Sequence, residues 1–210
     1  MSSLFHIEPL RVDSIDLGRL LRLQSADGMN RLARRCVLEL TEAIHALAGA
    51  PLPLVIAGNA KFFSVGADLN EIARLSGPEA YEFSKLGQAL MNQIAYFPAP
   101  VFAAVEGHCL GGGLDLALAC HRRIASSQAI FGHRGAALGL VTGWGGTQRL
   151  PRLIGKAQAL QMFVAAERVT AQHGLRIGLV DGIAQHAETE AIQQLRELLH
   201  PETFVPAPNA

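Results

Sequence analysis

The feature that most constrains this chain is a pair of segments in which a short apolar run ends in a glycine-rich loop and the loop runs into a helix-forming stretch. In the first, residues 53–57 lead into Gly58-Asn-Ala-Lys-Phe-Phe-Ser-Val-Gly-Ala-Asp68. In the second, Val101-Phe-Ala-Ala-Val105 leads into residues 107–113, which close on three consecutive glycines ahead of the very apolar residues 114–120. Short apolar runs bounded by turn residues mark strands buried on both faces, and strands alternating with helices imply an α/β domain with parallel pairing. Three glycines before a helix permit backbone angles closed to other residues. They also leave N–H groups uncovered where the helix dipole is positive. Such a turn either lets a helix pack closely on a strand or holds an anion or a developing oxyanion.

The remaining pattern supports the same alternation. Residues 4–10 and 17–24 read as strands separated by a polar turn at 12–16. Leu32, Cys36, Val37, Leu40, Ile44 and Leu47 recur three and four apart, which predicts a helix stopped by Gly49 and Pro51. Ser76-Gly-Pro-Glu79 has the spacing of a capping box and opens a helix with Leu86, Leu90, Ile94 and Phe97 on one face. Val101–Val105 is a buried strand, residues 107–113 a glycine-rich turn and 114–120 a short apolar helix. Beyond them the pattern predicts an element at Arg122–Ser126, a glycine-rich stretch over 132–146 and helical segments after Thr147. A helix over 171–177 capped by Thr170, a strand over 179–185 and an amphipathic helix over 188–200 follow. The tail, 201–210, carries three prolines and is expected to be loose.

Composition excludes several classes. At 210 residues, half of them hydrophobic, the chain suits one compact domain. Eighteen basic and eighteen acidic residues cancel, which argues against nucleic acid or an anionic membrane as partner. No apolar run approaches the ~20 residues of a membrane span, and no apolar stretch follows basic residues at the N-terminus. Cys36, Cys109 and Cys120 form no CxxC pair and read as reduced, buried thiols, so a soluble cytoplasmic protein is expected. G-x-G-x-x-G and the phosphate loop with Lys-Ser/Thr are both missing, and no His/Asp/Glu cluster has metal-ligand spacing.

Taken together the two loops resemble those of the enoyl-CoA hydratase/isomerase (crotonase) superfamily. The likeness is carried in order by Asn30, placed in the first helix, Gly66-Ala-Asp-Leu69, Pro100-Val-Phe-Ala-Ala-Val-Glu-Gly107 and Gly111-Gly-Gly-Leu-Asp-Leu-Ala-Leu-Ala119. It continues through Phe131-Gly132, Leu138-Gly139, Gly145-Gly-Thr-Gln-Arg-Leu150, Gly155-Lys156, Thr170-Ala171 and Gly178-Leu-Val180. The resemblance implies an α/β crotonase (ClpP-like) spiral of repeated ββα units. It places an acyl-CoA-binding domain over 1–190, with the end of a C-terminal helix and a loose tail over 191–210. It implies a homo-oligomer, a trimer or hexamer, acting on an acyl-CoA thioester. No separate cofactor is implied, because coenzyme A enters as part of the substrate.

Residue by residue, the resemblance implies an oxyanion hole made by the main-chain N–H groups of Ala67 and Gly112. Ala67, Asp68, Leu69, Asn70, Gly111, Gly112, His133 and Trp144 are its substrate-binding positions. Asp68 alternatively does no more than cap the helix that follows. Asp115, one helical turn after Gly112, stands at the first of the family's two catalytic glutamate positions, or is simply an acidic residue in a first helical turn. The second glutamate position falls on Gly135, which has no side chain, so a glutamate introduced there is expected to raise hydratase activity. His133 and His108 are candidate substitutes, against a surface or merely hydrogen-bonded role. Trp144 stands where relatives carry a small residue, and either narrows the acyl pocket or packs. Its loop, Gly143-Trp-Gly-Gly146, resembles that of acyl-CoA decarboxylases in the superfamily. The helix over 188–200 stands close to the C-terminus, which implies fewer C-terminal helices than relatives carry. A hydratase or isomerase stabilising an enolate is the leading reading. A decarboxylase or thioester hydrolase of the same fold, or a non-catalytic crotonase-fold partner, are the alternatives.

Overall fold

The computed structural model describes residues 4–12 and 15–199. They form two sheets. The larger has strands β1 (Phe5–Val12), β2 (Ile15–Leu23), β3 (Leu54–Ala57), β5 (Val101–Val105), β7 (Arg122–Ser126) and β10 (Gly182–Ala184), side by side in that order. Only β1, antiparallel to β2, departs from parallel pairing. The smaller has β4 (Phe62–Ser64), β6 (His108–Leu110) and β8 (Ile130–Gly132) in parallel, with β9 (Val169–Thr170) antiparallel at its edge.

Connectivity repeats. A strand of the large sheet leads to one of the small sheet and then to helix, three times in succession. β3 and β4 precede helices α2 (Leu69–Ile72) and α3 (Gly77–Ala95), and β5 and β6 precede α4 (Gly112–Ala119). β7 and β8 precede a 3-10 turn (Arg134–Leu138) and helices α5 (Gly146–Ile154) and α6 (Lys156–Val164). This is the predicted ββα spiral. Helix α1 (Arg34–Ala48) joins β2 to β3, α7 (Ala171–Arg176) follows β9, and α8 (Ala187–Leu199) completes the described chain.

Strand alternation explains the layering. Leu54, Ile56, Val101, Ala103 and Val105 face the main core with α1, α3 and α4, whereas Val55, Ala57, Phe102 and Ala104 face α8. Both faces are therefore apolar, as a central parallel sheet requires. Ala187, Ala191 and Leu195, four apart on α8, fill the second layer. Its first turn is fixed by Glu106, which accepts from the Ala187 N–H at 3.1 Å, and by Arg22, bonded to Glu188 at 2.7 and 2.9 Å. α8 thus runs unbroken through position 190. Helix α4 is buried from Gly113 to Ala119, so its all-round apolar composition marks a core helix. Cys36, Cys109 and Cys120 are free and buried. No described helix is long and apolar enough to cross a membrane.

Several elements differ from the sequence pattern. β4 and β6 lie within the loops read as irregular, because three-residue strands are too short to show a period. The strand expected over 179–185 shortens to β10. Positions 13 and 14 of the first turn, and the tail 201–210, lie outside the described residues. The expected cap at Ser76 is present, with Glu79 accepting from the Ser76 N–H at 2.8 Å and its hydroxyl at 2.6 Å. Thr170 likewise caps α7, accepting from the His173 N–H at 3.3 Å.

Asn30 is not helical, as the resemblance had it. Arg31 bridges to Gly66 and the Leu32 N–H donates to the Gly66 carbonyl at 2.9 Å, so this backbone is spent on strand-like pairing and α1 begins only at Arg34. Buried Asn30 sits at φ 53, and its side-chain amide donates to the carbonyls of Phe62 and Phe63, both at 3.1 Å, while its oxygen accepts from the Ser25 N–H at 3.1 Å. Replacing Asn30 by Ala removes both bonds, although the Phe62 carbonyl keeps the Asn59 N–H at 2.9 Å, and leaves a left-handed Ala. A loss of about 3 kcal/mol in urea unfolding is expected, of which Asn30→Gly recovers about 1 kcal/mol.

Candidate active site

Both glycine loops end at one place, and the reason is local. Ser64, fully buried, donates its hydroxyl to the Asn30 carbonyl at 2.7 Å and accepts from the Gly66 N–H at 3.0 Å. Gly66 then takes φ +87, which turns Ala67 toward the second loop. There Gly111, at φ +53, donates its N–H to the Gly132 carbonyl at 2.9 Å and starts α4. A Cβ on Gly66 would stand 2.6 Å from the Gly112 nitrogen, and one on Gly113 2.6 Å from the Ser64 carbonyl oxygen. Only glycine allows an approach this close. Among the described residues, neither the Ala67 N–H nor the Gly112 N–H meets an acceptor.

These two residues line a cavity of about 560 Å³, whose walls also include Leu69, Gly111, Asp115, His133 and Trp144. Asp68 and Asn70 are not part of the lining. Asp68 instead caps α2, accepting from the Asn70 N–H at 2.9 Å. His108 does not line the cavity either, and its ring lies 5.6 Å from that of Phe62. Ser64 escaped the sequence reading. Its signal is a lone hydroxyl within the apolar Phe62-Phe-Ser-Val65.

Asp115 is the one carboxyl among the described residues that line the cavity, and it is 1% exposed. Thr142 donates its hydroxyl to Oδ2, and the Gly146 N–H lies near enough to favour the ionised carboxylate. Burial pushes its pKa up to about 7, opposed by the Thr142 bond and by the positive field of Arg149. His133, 4% exposed, places Nε2 3.3 Å from Asp115 Oδ1. The surface role considered for it is therefore wrong. Burial drives its pKa down to about 4, so it is neutral at pH 7. The extended run that would align His133 with Gly135 does not exist, since β8 stops at Gly132 and the 3-10 turn begins at Arg134. Gly135 has no room for a side chain, because a Cβ there would lie 2.6 Å from the Leu140 carbonyl oxygen. A glutamate at that position is thus expected to displace the turn rather than restore a catalytic group.

Trp144 both packs and lines the cavity. Its indole is buried edge-on to Phe83, with ring centroids 5.3 Å apart at 88°. It lies flush against the backbone of Gly87 in α3 and of Gly112 in α4, where any Cβ would overlap it.

The sequence profile of the enoyl-CoA hydratase/isomerase family matches residues 19–206. The chain belongs to that family. It is 41% identical over 172 residues to crotonyl-CoA hydratase of Syntrophomonas wolfei, covering 80% of this chain and 66% of the relative. It is 42% identical over 146 residues to a probable enoyl-CoA hydratase of Bacillus subtilis, covering 69% and 56%. It thus spans less than two thirds of the length of these curated relatives. The solved structure of DspI from Pseudomonas aeruginosa superposes with a TM-score of 0.87 at 32% identity, over 95% of this chain and 76% of that one. The fold is the crotonase fold.

Two outcomes follow for this family member. A mid-helix Gly→Ala change ordinarily gains about 1 kcal/mol. At Gly87 the sign is expected to reverse, with a loss of about 1–3 kcal/mol by overpacking against Trp144, measured by chemical denaturation. Asp115→Asn is expected to raise the Tm. The folded-state pKa of Asp115 lies above its unfolded value, so the folded state binds the extra proton and wild-type stability from this group falls as pH rises from about 4 to about 7. His133 acts oppositely between about 4 and 6.5. The Tm difference should therefore grow across pH 4–7 and level off above it.

Proposed function

We propose that this chain binds an acyl-CoA thioester in the cavity and adds water across an α,β double bond. In this reading the thioester oxygen sits between the N–H groups of Ala67 and Gly112, and Asp115 handles the proton. The observation that carries it is the meeting of two unpaired main-chain donors at the end of one cavity. Negative charge that develops on the thioester oxygen during attack is stabilised by such preorganised donors, each worth on the order of 3 kcal/mol. Coenzyme A enters as part of the substrate.

The chemistry balances with one carboxyl. Ionised Asp115 takes a proton from water as the oxygen bonds to C3, and the C2–C3 π electrons move onto the thioester oxygen. Collapse of the enolate then draws a proton back to C2. A carboxyl with a pKa of about 7 suits both directions of transfer near neutral pH. Isomerisation is the second reading, favoured by the empty position at Gly135: one base moves one proton from C2 to C4 of an enoyl thioester and needs no second carboxylate.

Acetoacetyl-CoA, an enolisable thioester, should bind in calorimetry, and no binding would overturn both readings. Turnover of crotonyl-CoA against a 3-enoyl-CoA separates them. Asp115→Ala is expected to retain acetoacetyl-CoA binding and to lower kcat by about 10²–10⁴-fold. Full activity in that variant would remove Asp115 from the mechanism.

A further inference from the structure

His133 Nε2 and Asp115 Oδ1 are both buried, and neither atom has a hydrogen-bond partner among the described residues. They face each other at 3.3 Å inside the cavity. The surroundings leave them no alternative. Thr142 occupies Oδ2, Gly146 packs so closely that a Cβ would overlap Oδ1 and lie 3.0 Å from Nε2, and the Phe163 ring of α6 covers the imidazole at 5.1 Å. Arg149 of α5 is the charged group whose field reaches Asp115, but its guanidinium is tied to the Trp144 carbonyl at 3.2 Å and to Asn92 at 2.7 Å. The neighbouring Arg134 is exposed. Two buried polar atoms without other partners satisfy each other only when one proton lies between them.

We infer that His133 and Asp115 form one proton-sharing pair that stands in for the missing second carboxylate, with His133 acting through Asp115. The inference rests on the acyl-CoA reading for its catalytic meaning. The pair accepts one proton from water as the C3–O bond forms and returns one to C2, so its protonation is unchanged over a turnover. Either the carboxyl donates to bare Nε2 or Nε2–H donates to the carboxylate, and the imidazole tautomer follows the proton. His133 is a positioning residue in this scheme. It keeps the single carboxyl able to act as base and then as acid without a second ionised group in the same dry site.

The test compares His133→Gln with His133→Leu. Glutamine keeps an N–H donor near the carboxylate but cannot pass on a proton. Both variants should lose at least about 10-fold in kcat with KM little changed, and both should shift the pH profile of kcat. Recovery of wild-type kcat and pH profile by glutamine would show a purely structural role and overturn the inference. A second measurement is independent of turnover. The ¹⁵N resonances of His133 should report a change of tautomer across the titration of Asp115, and Asp115→Asn should abolish it. Resonances indifferent to Asp115→Asn would overturn the pair even in an active enzyme. Loss of acetoacetyl-CoA binding in the wild type, with the coupled resonances intact, would overturn the acyl-CoA reading alone.

Discussion

The close approach of two backbones, one from the Gly66-Ala67 turn and one from the start of α4, organises everything else at the cavity. Such contact is sterically closed to any residue with a Cβ, and a Cβ at Gly66 or Gly113 would meet main-chain atoms of the opposite loop at 2.6 Å. The contact is held from behind rather than from within. Asn30 clamps the carbonyls of β4 and Ser64 links Asn30 to the Gly66 N–H, so the first loop is fixed by bonds that leave the Ala67 N–H unused. On the other side the Gly111 N–H is spent on Gly132, and Gly112 is left as the first uncovered donor of the helix. Preorganised donors of this kind are effective because they need no reorientation when charge appears.

The same burial that strengthens those donors works against any ion placed beside them. Asp115 and His133 respond in opposite directions for one reason, since desolvation penalises the carboxylate and the imidazolium alike. The site therefore favours its least charged state, at a cost to stability once the carboxyl ionises. Gly146 is the structural price of this arrangement, because its missing Cβ is what lets α5 close against Oδ1. A well-packed apolar substitute would be more stable and inert.

Much of the spiral was legible in the chain because its central strands are apolar on both faces and its helices are not. Val101–Val105 and Arg122–Ser126 match their predicted limits, and the Ser76 and Thr170 caps stand where their side chains imply. What escaped has a common cause. β4 and β6 are three residues long, and Asn30 is held by side-chain bonds to the carbonyls of Phe62 and Phe63, 32 and 33 positions away. No local pattern reports a non-local bond. Ala67, Gly112 and Asp115 were found through ordered likeness to a family, and periodicity alone would have left the glycines as a packing device. For His133 the sequence leaves a surface role open beside a hydrogen-bonded or catalytic one, because a histidine after a strand carries no sequence mark of what will cover it.

Gly135 and Trp144 show how the cavity departs from a two-carboxylate site without losing its shape. At Gly135 the chain turns so tightly against the Leu140 carbonyl that any side chain would unseat the 3-10 turn. The adjoining loop returns a bulky group, Trp144, to the floor beside Gly112 and Gly87. One ionisable group is thereby exchanged for apolar surface, and the remaining carboxyl sits in a drier environment than two competing carboxylates would tolerate. Coulomb repulsion between like charges is removed, and desolvation takes over as the influence that tunes Asp115. A neutral imidazole is then the one neighbour that can share its proton without adding a charge, and His133 is where the fold places it.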